Sequence, residues 1–187
     1  MFPNAGYVGD MSRRAQLRTA RLLMRRARPD DLQALHAIMS DPEVMRYWST
    51  PPHASLDETR RFLEAMLSAP PRESDEFVIE HAGEVIGRLG AWRLPEIGFY
   101  LRRDCWGRGF AAEALAGFIH YAGSRGVPCL TADVDPLNLA CLKLLAAAGF
   151  RETGRASATF VVAGRTCDSV YLRLDIDPSV GGCAENR

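Results

Sequence analysis

Two glycines, Gly107 and Gly109, stand between an apolar run that ends at Leu101 and a helical pattern that continues to Ser124. Glycine at such a junction lets the backbone turn tightly and approach a ligand closely. The first turn of the following helix presents unpaired N–H groups and a partial positive charge. The order of strand, glycine turn and helix therefore predicts an anion-binding site, although a tight turn without a ligand would use the same glycines.

The same glycines formally satisfy the dinucleotide-binding fingerprint, with Ala112 as the third small residue and Asp133 at the end of the next strand. In that fingerprint the first glycine follows its strand at once, whereas here five residues separate Leu101 from Gly107. An antiparallel meander precedes the motif, and the chain has no room for the further βαβ units of a nicotinamide-binding fold. We therefore expect the turn to bind a different anion.

The length, charge and cysteine content of the chain limit the classes of function. Its 187 residues fit one domain of ordinary size. With 23 basic and 23 acidic side chains there is no net field to attract nucleic acid or an anionic membrane surface, so neither is an expected partner. The five cysteines are scattered without metal-ligand spacing, which predicts reduced thiols in a cytoplasmic protein that binds no metal.

Both ends of the chain lack the pattern of a packed element. Residues 1–18 contain no apolar run, so they are neither a secretory signal nor a membrane span, and we expect a flexible extension. Residues 176–187 include Pro178, Gly181 and Gly182 and little apolar surface, which predicts a disordered tail. The predicted domain is therefore residues 19–175.

Hydrophobic periodicity predicts strands and helices in the order β-α-α-β-β-β-α-β-α-β-β. Ser55 and Glu58 form a capping box at the start of the second helix. The expected fold is α/β, with one mixed and mostly antiparallel sheet of six to seven strands and about four helices on both faces. The predicted strands are 20–27, a hairpin over 76–93, 97–101, 129–134, 150–162 and 169–174, and the predicted helices are 29–40, 55–69, 109–124 and 137–148.

Four separated segments carry a family resemblance: Glu96 to Leu101, Trp106 to Ala114, Asp135 to Cys141, and Ala148 to Phe150. In this order they resemble the GCN5-related N-acetyltransferase (GNAT) superfamily, and most closely its branch of ribosomal-protein N-terminal acetyltransferases, the RimJ/RimL-like proteins. The resemblance implies a GNAT fold with a splayed parallel strand pair. It also implies acetyl-CoA as co-substrate and transfer of its acetyl group to an amine.

The resemblance further implies which residues bind coenzyme A. The amides from Gly107 to Ala112 would hold the pyrophosphate, and the backbone of residues 99–101 would pair with the pantetheine arm like a further strand. Asn138 would hydrogen-bond the pantetheine or a nearby water, unless it only occupies the first turn of its helix. The expected cofactor-binding residues are Phe99, Tyr100, Leu101, Arg102, Arg103, Gly107, Arg108, Gly109, Phe110, Ala111, Ala112, Asn138 and Cys141.

The catalytic groups are less clearly marked. Leu145 stands where many relatives carry a tyrosine that protonates the departing thiolate. The ribosomal-protein branch usually has serine at the position of Cys141, so this thiol is the candidate acid, although a small buried helix residue would also suit the position. Glu96, at the start of the strand that flanks the splay, is the candidate base, but it could equally be a surface charge at a strand end.

The acceptor pocket is expected between the segment from Met45 to His53 and the late hairpin from Phe160 to Arg165. Aromatic side chains would line this pocket, unless their only role is to anchor the segment from Met45 to His53 to the rest of the protein. The candidate substrate-binding residues are Tyr47, Trp48, His53 and Trp92.

The chemistry of the amine decides between acceptors. An α-amino group with a pKa of about 7.7 to 8.0 is partly neutral near pH 7, whereas a lysine with a pKa of about 10.4 is almost wholly protonated. A protein N-terminal α-amine that attacks directly in a ternary complex is therefore the expected acceptor. The alternatives are a small-molecule amine, such as a drug, polyamine or amino acid, and a non-catalytic acetyl-CoA sensor. The chain is expected to be a monomer or a homodimer.

Overall fold

The computed structural model of the chain describes residues 15–70 and 74–176. Within them lie eight strands, four α-helices and two short 3-10 turns at Pro29–Asp31 and Arg103–Cys105. The strands are β1 Gln16–Arg18, β2 Leu22–Arg25, β3 Asp75–His81, β4 Glu84–Arg93, β5 Glu96–Leu101, β6 Cys129–Val134, β7 Arg151–Val162 and β8 Arg165–Asp175, and the helices are α1 Leu32–Met39, α2 Leu56–Ser68, α3 Phe110–Ser124 and α4 Leu139–Ala147.

All eight strands form one sheet in the order β1-β2-β3-β4-β5-β6-β8-β7. Neighbouring strands are antiparallel except for the pair β5 and β6, so the predicted mixed and mostly antiparallel α/β sheet is confirmed. The sheet has one strand more than expected, because Gln16–Arg18 pairs with β2 instead of belonging to a loose extension. The remainder of the predicted extension, residues 1–14, and residues 177–187 of the predicted tail lie outside the described residues.

The helices cover both faces of the sheet, and each face has its own apolar core. On the α3 face, Phe110 and Phe118 pack with strand residues such as Met24 and Phe77 in the larger cluster. On the α1 face, the smaller cluster contains Ile38, Met39, Met45 and Tyr100. The two clusters therefore hold different elements in place: the larger cluster packs α3 against the sheet, and the smaller one packs the segment after α1 against it.

A buried ion pair fixes the start of α1 against the sheet. Arg25 on β2 donates two hydrogen bonds to Asp31, at 2.7 and 2.8 Å, and both residues are about 4% exposed. Glu80 on β3 lies 2.6 Å from the same guanidinium. Because each charge has a partner, this cluster joins the first helix to β2 and β3 without leaving an uncompensated buried ion. No helix in residues 15–70 or 74–176 is long and apolar enough to span a membrane.

Candidate active site

The parallel strands β5 and β6 separate along their length and leave a cleft in the sheet. Their register has one pair, Glu96 with Thr131, within the described strands. The Thr131 N–H also donates to the Pro95 carbonyl at 2.9 Å. Beyond this point residues 97–101 of β5 and 132–134 of β6 diverge, and the predicted splayed pair is present.

The backbone groups of β5 alternate between β4 and the cleft. The Arg102 N–H donates to the Ile86 carbonyl of β4 at 2.7 Å, whereas the Pro95 carbonyl faces β6. The backbone groups of successive residues of a strand point in opposite directions. The N–H groups of Phe99 and Leu101 therefore face the cleft, and the N–H of Tyr100 faces β4. Of the three residues expected to pair with an extended ligand, two thus present their backbone N–H groups to the cleft.

Trp106 donates a hydrogen bond to one of the carbonyls that face the cleft. Its indole N–H donates to the Leu101 carbonyl at 2.8 Å, and the ring is nearly half exposed at the mouth of the cleft. The N–H and carbonyl of Phe99 and the N–H of Leu101 are the groups that then remain for a ligand. This indole was not among the sequence-predicted residues, because its contact depends on the 3-10 turn at Arg103–Cys105.

The glycine turn lies at the wide end of the cleft and leads directly into α3. Gly107 and Gly109 have φ of +70° and +79°, and Gly109 is the N-cap of the helix. Residues with a Cβ rarely adopt this left-handed conformation. No described atom comes within 4 Å of a Cβ built on Gly107, so the turn is open on this side. The first N–H groups of α3 are therefore presented to an open concave surface, as anion binding requires.

Arginine side chains support the turn from two sides. The guanidinium of Arg108 lies 4.8 Å from the centre of the Phe110 ring, and that of Arg21 lies 4.5 Å from it. Arg21 also donates to the Arg108 carbonyl at 3.0 Å and to Glu113 in the first turn of α3 at 2.6 Å. Burial acts to raise the pKa of Glu113, but hydrogen bonds from Thr19 and Arg21 outweigh it and hold that pKa below its usual range.

The arginines predicted at the turn differ in whether their charges are already paired with carboxylates. Arg102 is held by Asp104 at 2.7 Å and by Glu84 at 3.1 Å, so its charge is largely committed to neighbours. Arg103 and Arg108 are exposed beside the turn. Arg21 was not predicted, since it is distant in sequence from the turn. It reaches the turn only because β2, which it directly precedes, packs against α3.

Helix α4 begins shortly after the end of β6, the strand that borders the cleft. Asn138 is the N-cap of this helix, and its side-chain oxygen accepts a hydrogen bond from the Cys141 N–H at 3.2 Å. Burial raises the pKa of the Cys141 thiol to about 12, so the thiol stays protonated at neutral pH. Leu145 is fully buried in the larger core cluster. The capping role weighed for Asn138 is therefore present, and its amide nitrogen is the group that a ligand could use.

On the α1 side of the sheet, Trp48 covers the narrow end of the cleft. A Cβ built on Gly98 would lie 3.0 Å from the Trp48 ring and 3.8 Å from Nη1 of Arg88. Trp48 also packs edge-to-face on Tyr100, with ring centres 5.2 Å apart. The absence of a side chain at Gly98 lets the indole approach the strand closely.

A buried charged pair lies under this indole. Arg88 of β4 and Glu76 of β3 form an ion pair with side chains only 3% exposed. The Arg88 guanidinium lies 5.7 Å from both the Trp48 and Phe62 ring centres. Burial raises the pKa of Tyr100 to about 12 against the opposing effect of Arg88, so this phenol is neutral. The sequence pattern does not reveal this cluster, because its members alternate along strands like ordinary solvent-facing residues.

The segment after α1 and the late hairpin, which are expected to border the acceptor pocket, contact each other. Nη2 of Arg165 on β8 donates to the Arg46 carbonyl at 3.2 Å and lies 3.1 Å from the carboxylate of Asp135. His53 shares a hydrogen bond of 2.9 Å with Thr59 of α2 and thereby anchors its own segment. Tyr47 is partly buried, while Trp92 is 53% exposed at the end of β4.

A groove between α3 and α4 adjoins the glycine turn. It has a volume of about 560 Å³ and is lined mainly by small and aliphatic side chains. Ala112, in the first turn of α3, lines the end next to the turn, and Gly123 lines the far end. The groove offers apolar space to a ligand whose anionic part is held at the turn.

Comparison with known proteins agrees with this geometry. Residues 21–151 match the family model described as acetyltransferase (GNAT) domain. The chain is 31% identical over 166 residues to N-acetyltransferase p20 of Bacillus licheniformis, covering 83% of this chain and 93% of that protein. It is 28% identical to the L-methionine sulfoximine/L-methionine sulfone acetyltransferase of Pseudomonas paraeruginosa, over 80% and 91% of the two chains. The solved structure of RimL, a ribosomal L7/L12 alpha-N-protein acetyltransferase in complex with coenzyme A, superimposes with a TM-score of 0.79 at 19% identity, over 88% and 99% of the chains.

Proposed function

Because the chain belongs to the GNAT family of acetyl-CoA-dependent N-acetyltransferases, we propose that it acetylates an α-amino group, with a protein N-terminus as the first candidate acceptor. The observation that carries this proposal is the junction of an open cleft between β5 and β6 with the glycine turn at the start of α3. The cleft accommodates an extended arm, and the turn accommodates a diphosphate. Acetyl-CoA has both parts in this order.

The residues of the cleft fit the requirements of acetyl transfer. The Phe99 and Leu101 N–H groups are aimed into the cleft, where they can donate to the arm and to the thioester carbonyl. Trp48 and Tyr100 shield the narrow end from water. An amine that enters from the α1 side can then attack the carbonyl carbon directly in a ternary complex, and the coenzyme A thiol leaves along the cleft.

Two observations on relatives support an α-amine as acceptor. RimL acts on the α-amine of a ribosomal protein, and methionine sulfoximine carries an α-amino group of its own. An α-amine is also easier to deprotonate than a lysine side chain. The second candidate is a free amino acid or a similar small molecule, and the Arg165 hydrogen bond to the Arg46 carbonyl, which ties together the two segments expected to border the acceptor pocket, is consistent with a small acceptor.

Measuring thiol release from acetyl-CoA with a panel of amines tests the proposal. The panel pairs a peptide that has a free N-terminus with its N-blocked form that keeps a lysine, and adds methionine sulfone and spermidine. Release with the free N-terminus but not with the blocked peptide supports the first candidate. Release with methionine sulfone alone supports the second. Cofactor binding by calorimetry without release for any amine would make the chain a sensor and overturn both.

Replacing Glu96 by glutamine should lower kcat/KM most at low pH. Glu96 is exposed at the closed end of the cleft, where a carboxylate can accept a proton through water. Low pH leaves less of the acceptor amine neutral, so help from a base matters most there. Glu64→Gln on the exposed face of α2 is the matched control. Identical pH profiles for the parent and Glu96→Gln would remove Glu96 from the mechanism.

Replacing Cys141 by alanine should lower kcat by about tenfold or less and leave the Kd for acetyl-CoA nearly unchanged. The effect is small because burial raises the thiol pKa to about 12, well above a free thiol near 8.5, so proton transfer to the departing thiolate is uphill. Cys141→Ser, which keeps a donor, should retain more activity than Cys141→Ala. An unaltered kcat in both variants would show that the thiol takes no part.

A further inference from the structure

Asp133 faces the cleft at the level where the two parallel strands begin to separate. Glu96 and Thr131 are in register, so two residues further along each strand Asp133 on β6 stands across from Gly98 on β5. Its neighbours Ala132 and Val134 point into the core beneath α3, so Asp133 lies on the opposite face, the one covered by Trp48. The carboxylate therefore shares the narrow end of the cleft with the indole.

The surroundings of Asp133 leave part of its hydrogen-bonding capacity unused. Oδ1 is buried and has no hydrogen-bond partner within the part of the chain that the structure describes. Ser169 of β8, which is 1% exposed, lies on the same face, and its hydroxyl acts to lower the pKa of Asp133 against the effect of burial. Ser169 is itself held by Thr159 of β7 at 2.7 Å. A buried acceptor without a partner is unfavourable for the fold and calls for an explanation in function.

We propose that Asp133 is the catalytic base that receives the proton of the acceptor ammonium, so that Glu96, at the closed end of the cleft, can only help to pass that proton to solvent through water. This rests on the proposed acetyl transfer. The ammonium gives one proton to the Asp133 carboxylate, and the neutral amine forms a C–N bond to the thioester carbon. The C–S bond then breaks, the second proton of the nitrogen goes to the departing sulfur, and Asp133 returns its proton to solvent. The products are the N-acetyl compound, free coenzyme A thiol and one proton.

The groups around Asp133 suit this role. On the same face, Glu96 and Tyr100 lie on β5, and Tyr171 and Arg173 lie on β8. Asp135 follows the end of β6 and is paired with Arg165, the first residue of β8. Burial raises the pKa of Asp133 while the Ser169 hydroxyl opposes it, so the net shift is upward. A carboxylate with a raised pKa is a stronger base, because its pKa lies closer to the pKa of the amine from which it takes the proton.

The same shift has a consequence for stability. The folded state binds the Asp133 proton more tightly than the unfolded chain, so this group lowers the stability as the pH rises through its unfolded and then its folded pKa. Replacing it by asparagine at neutral pH removes the unfavourable charge and keeps a polar group beside Ser169. Asp133→Asn should therefore leave the Tm unchanged or raise it, while activity falls.

The test compares Asp133→Asn, Asp133→Glu and Asp57→Asn, an exposed control on α2. With the best amine of the acceptor panel, Asp133→Asn should lower kcat by roughly 100-fold or more and move the acid limb of the pH profile up to the pKa of the free amine. Asp133→Glu should recover part of the rate, and Asp57→Asn should match the parent. With a weakly basic amine that is neutral at the assay pH, the loss in Asp133→Asn should shrink by at least about tenfold.

Failure of this inference is distinguishable from failure of the proposed function. A parent enzyme that releases no thiol with any amine contradicts the function. A parent that transfers acetyl while Asp133→Asn keeps its rate and pH profile contradicts only the role of Asp133. An equal loss for strongly and weakly basic amines, with a lowered Tm, would show a structural role and overturn the base assignment. Unchanged acetyl-CoA affinity in Asp133→Asn is required by the proposal, and a matching loss of affinity would contradict it.

Discussion

Replacing Arg88 by alanine should lower the free energy of unfolding by roughly 3 to 5 kcal/mol. The Arg88 and Glu76 side chains are only 3% exposed and pair with each other between β3 and β4. Removing the guanidinium leaves the Glu76 carboxylate buried without its partner, and also removes the cation that packs against Trp48 and Phe62. This is the largest stability effect that we expect from a single substitution on the α1 face.

Chemical denaturation of three variants checks this prediction. Arg155→Ala breaks an ion pair with Glu152 on the exposed face of β7, and its unfolding transition should stay close to that of the parent. The double variant Glu76→Leu with Arg88→Met removes both charges and should recover most of the loss, because no ion is then left without a partner. If Arg88→Ala were as stable as Arg155→Ala, the pair would not be buried in solution as it is in the structure.

The local parts of the fold were predictable because their causes are local. Ser55 caps α2 through the Glu58 N–H, as the capping box predicts, and α3 begins within one residue of the expected position. Strand β8 begins at Arg165 rather than at 169, since pairing with β7 extends the hairpin beyond its alternating apolar residues. The short strand Gln16–Arg18 was missed for the same reason, because three residues form a strand only when β2 lies beside them.

The site divides in the same way. The glycine turn is contiguous in sequence, so its residue types and spacing were enough to predict an open helix N-terminus. The contact of Arg21 with Glu113 and the pair of Arg88 with Glu76 join strands and helices that are distant in sequence. Asp133 was visible only as the acidic residue of a rejected fingerprint. Its position opposite Gly98 follows from the register of β5 and β6, which the sequence pattern does not specify.

Replacing Gly107 by alanine should raise the Kd for acetyl-CoA by roughly 10- to 100-fold. A methyl group at this position would occupy the open side of the turn, where no described atom now comes within 4 Å. It would keep a diphosphate away from the first N–H groups of α3, and hydrogen bonds to charged groups contribute about 1.5 to 3 kcal/mol each. The backbone at φ +70° would also be strained by the new side chain, so part of the effect on the protein is general destabilisation.

Gly126 provides a control that separates the two effects. Its φ is +71°, and again no described atom comes within 4 Å of an added Cβ, but it lies after the far end of α3. Gly107→Ala and Gly126→Ala should therefore lose similar stability, about 1 to 2 kcal/mol each, because both force the same left-handed conformation on a residue with a Cβ. Only Gly107→Ala should weaken the binding of acetyl-CoA in calorimetry. Equal affinities in the two variants would mean that the diphosphate does not rest on this turn, and the cleft would have to bind its ligand in another direction.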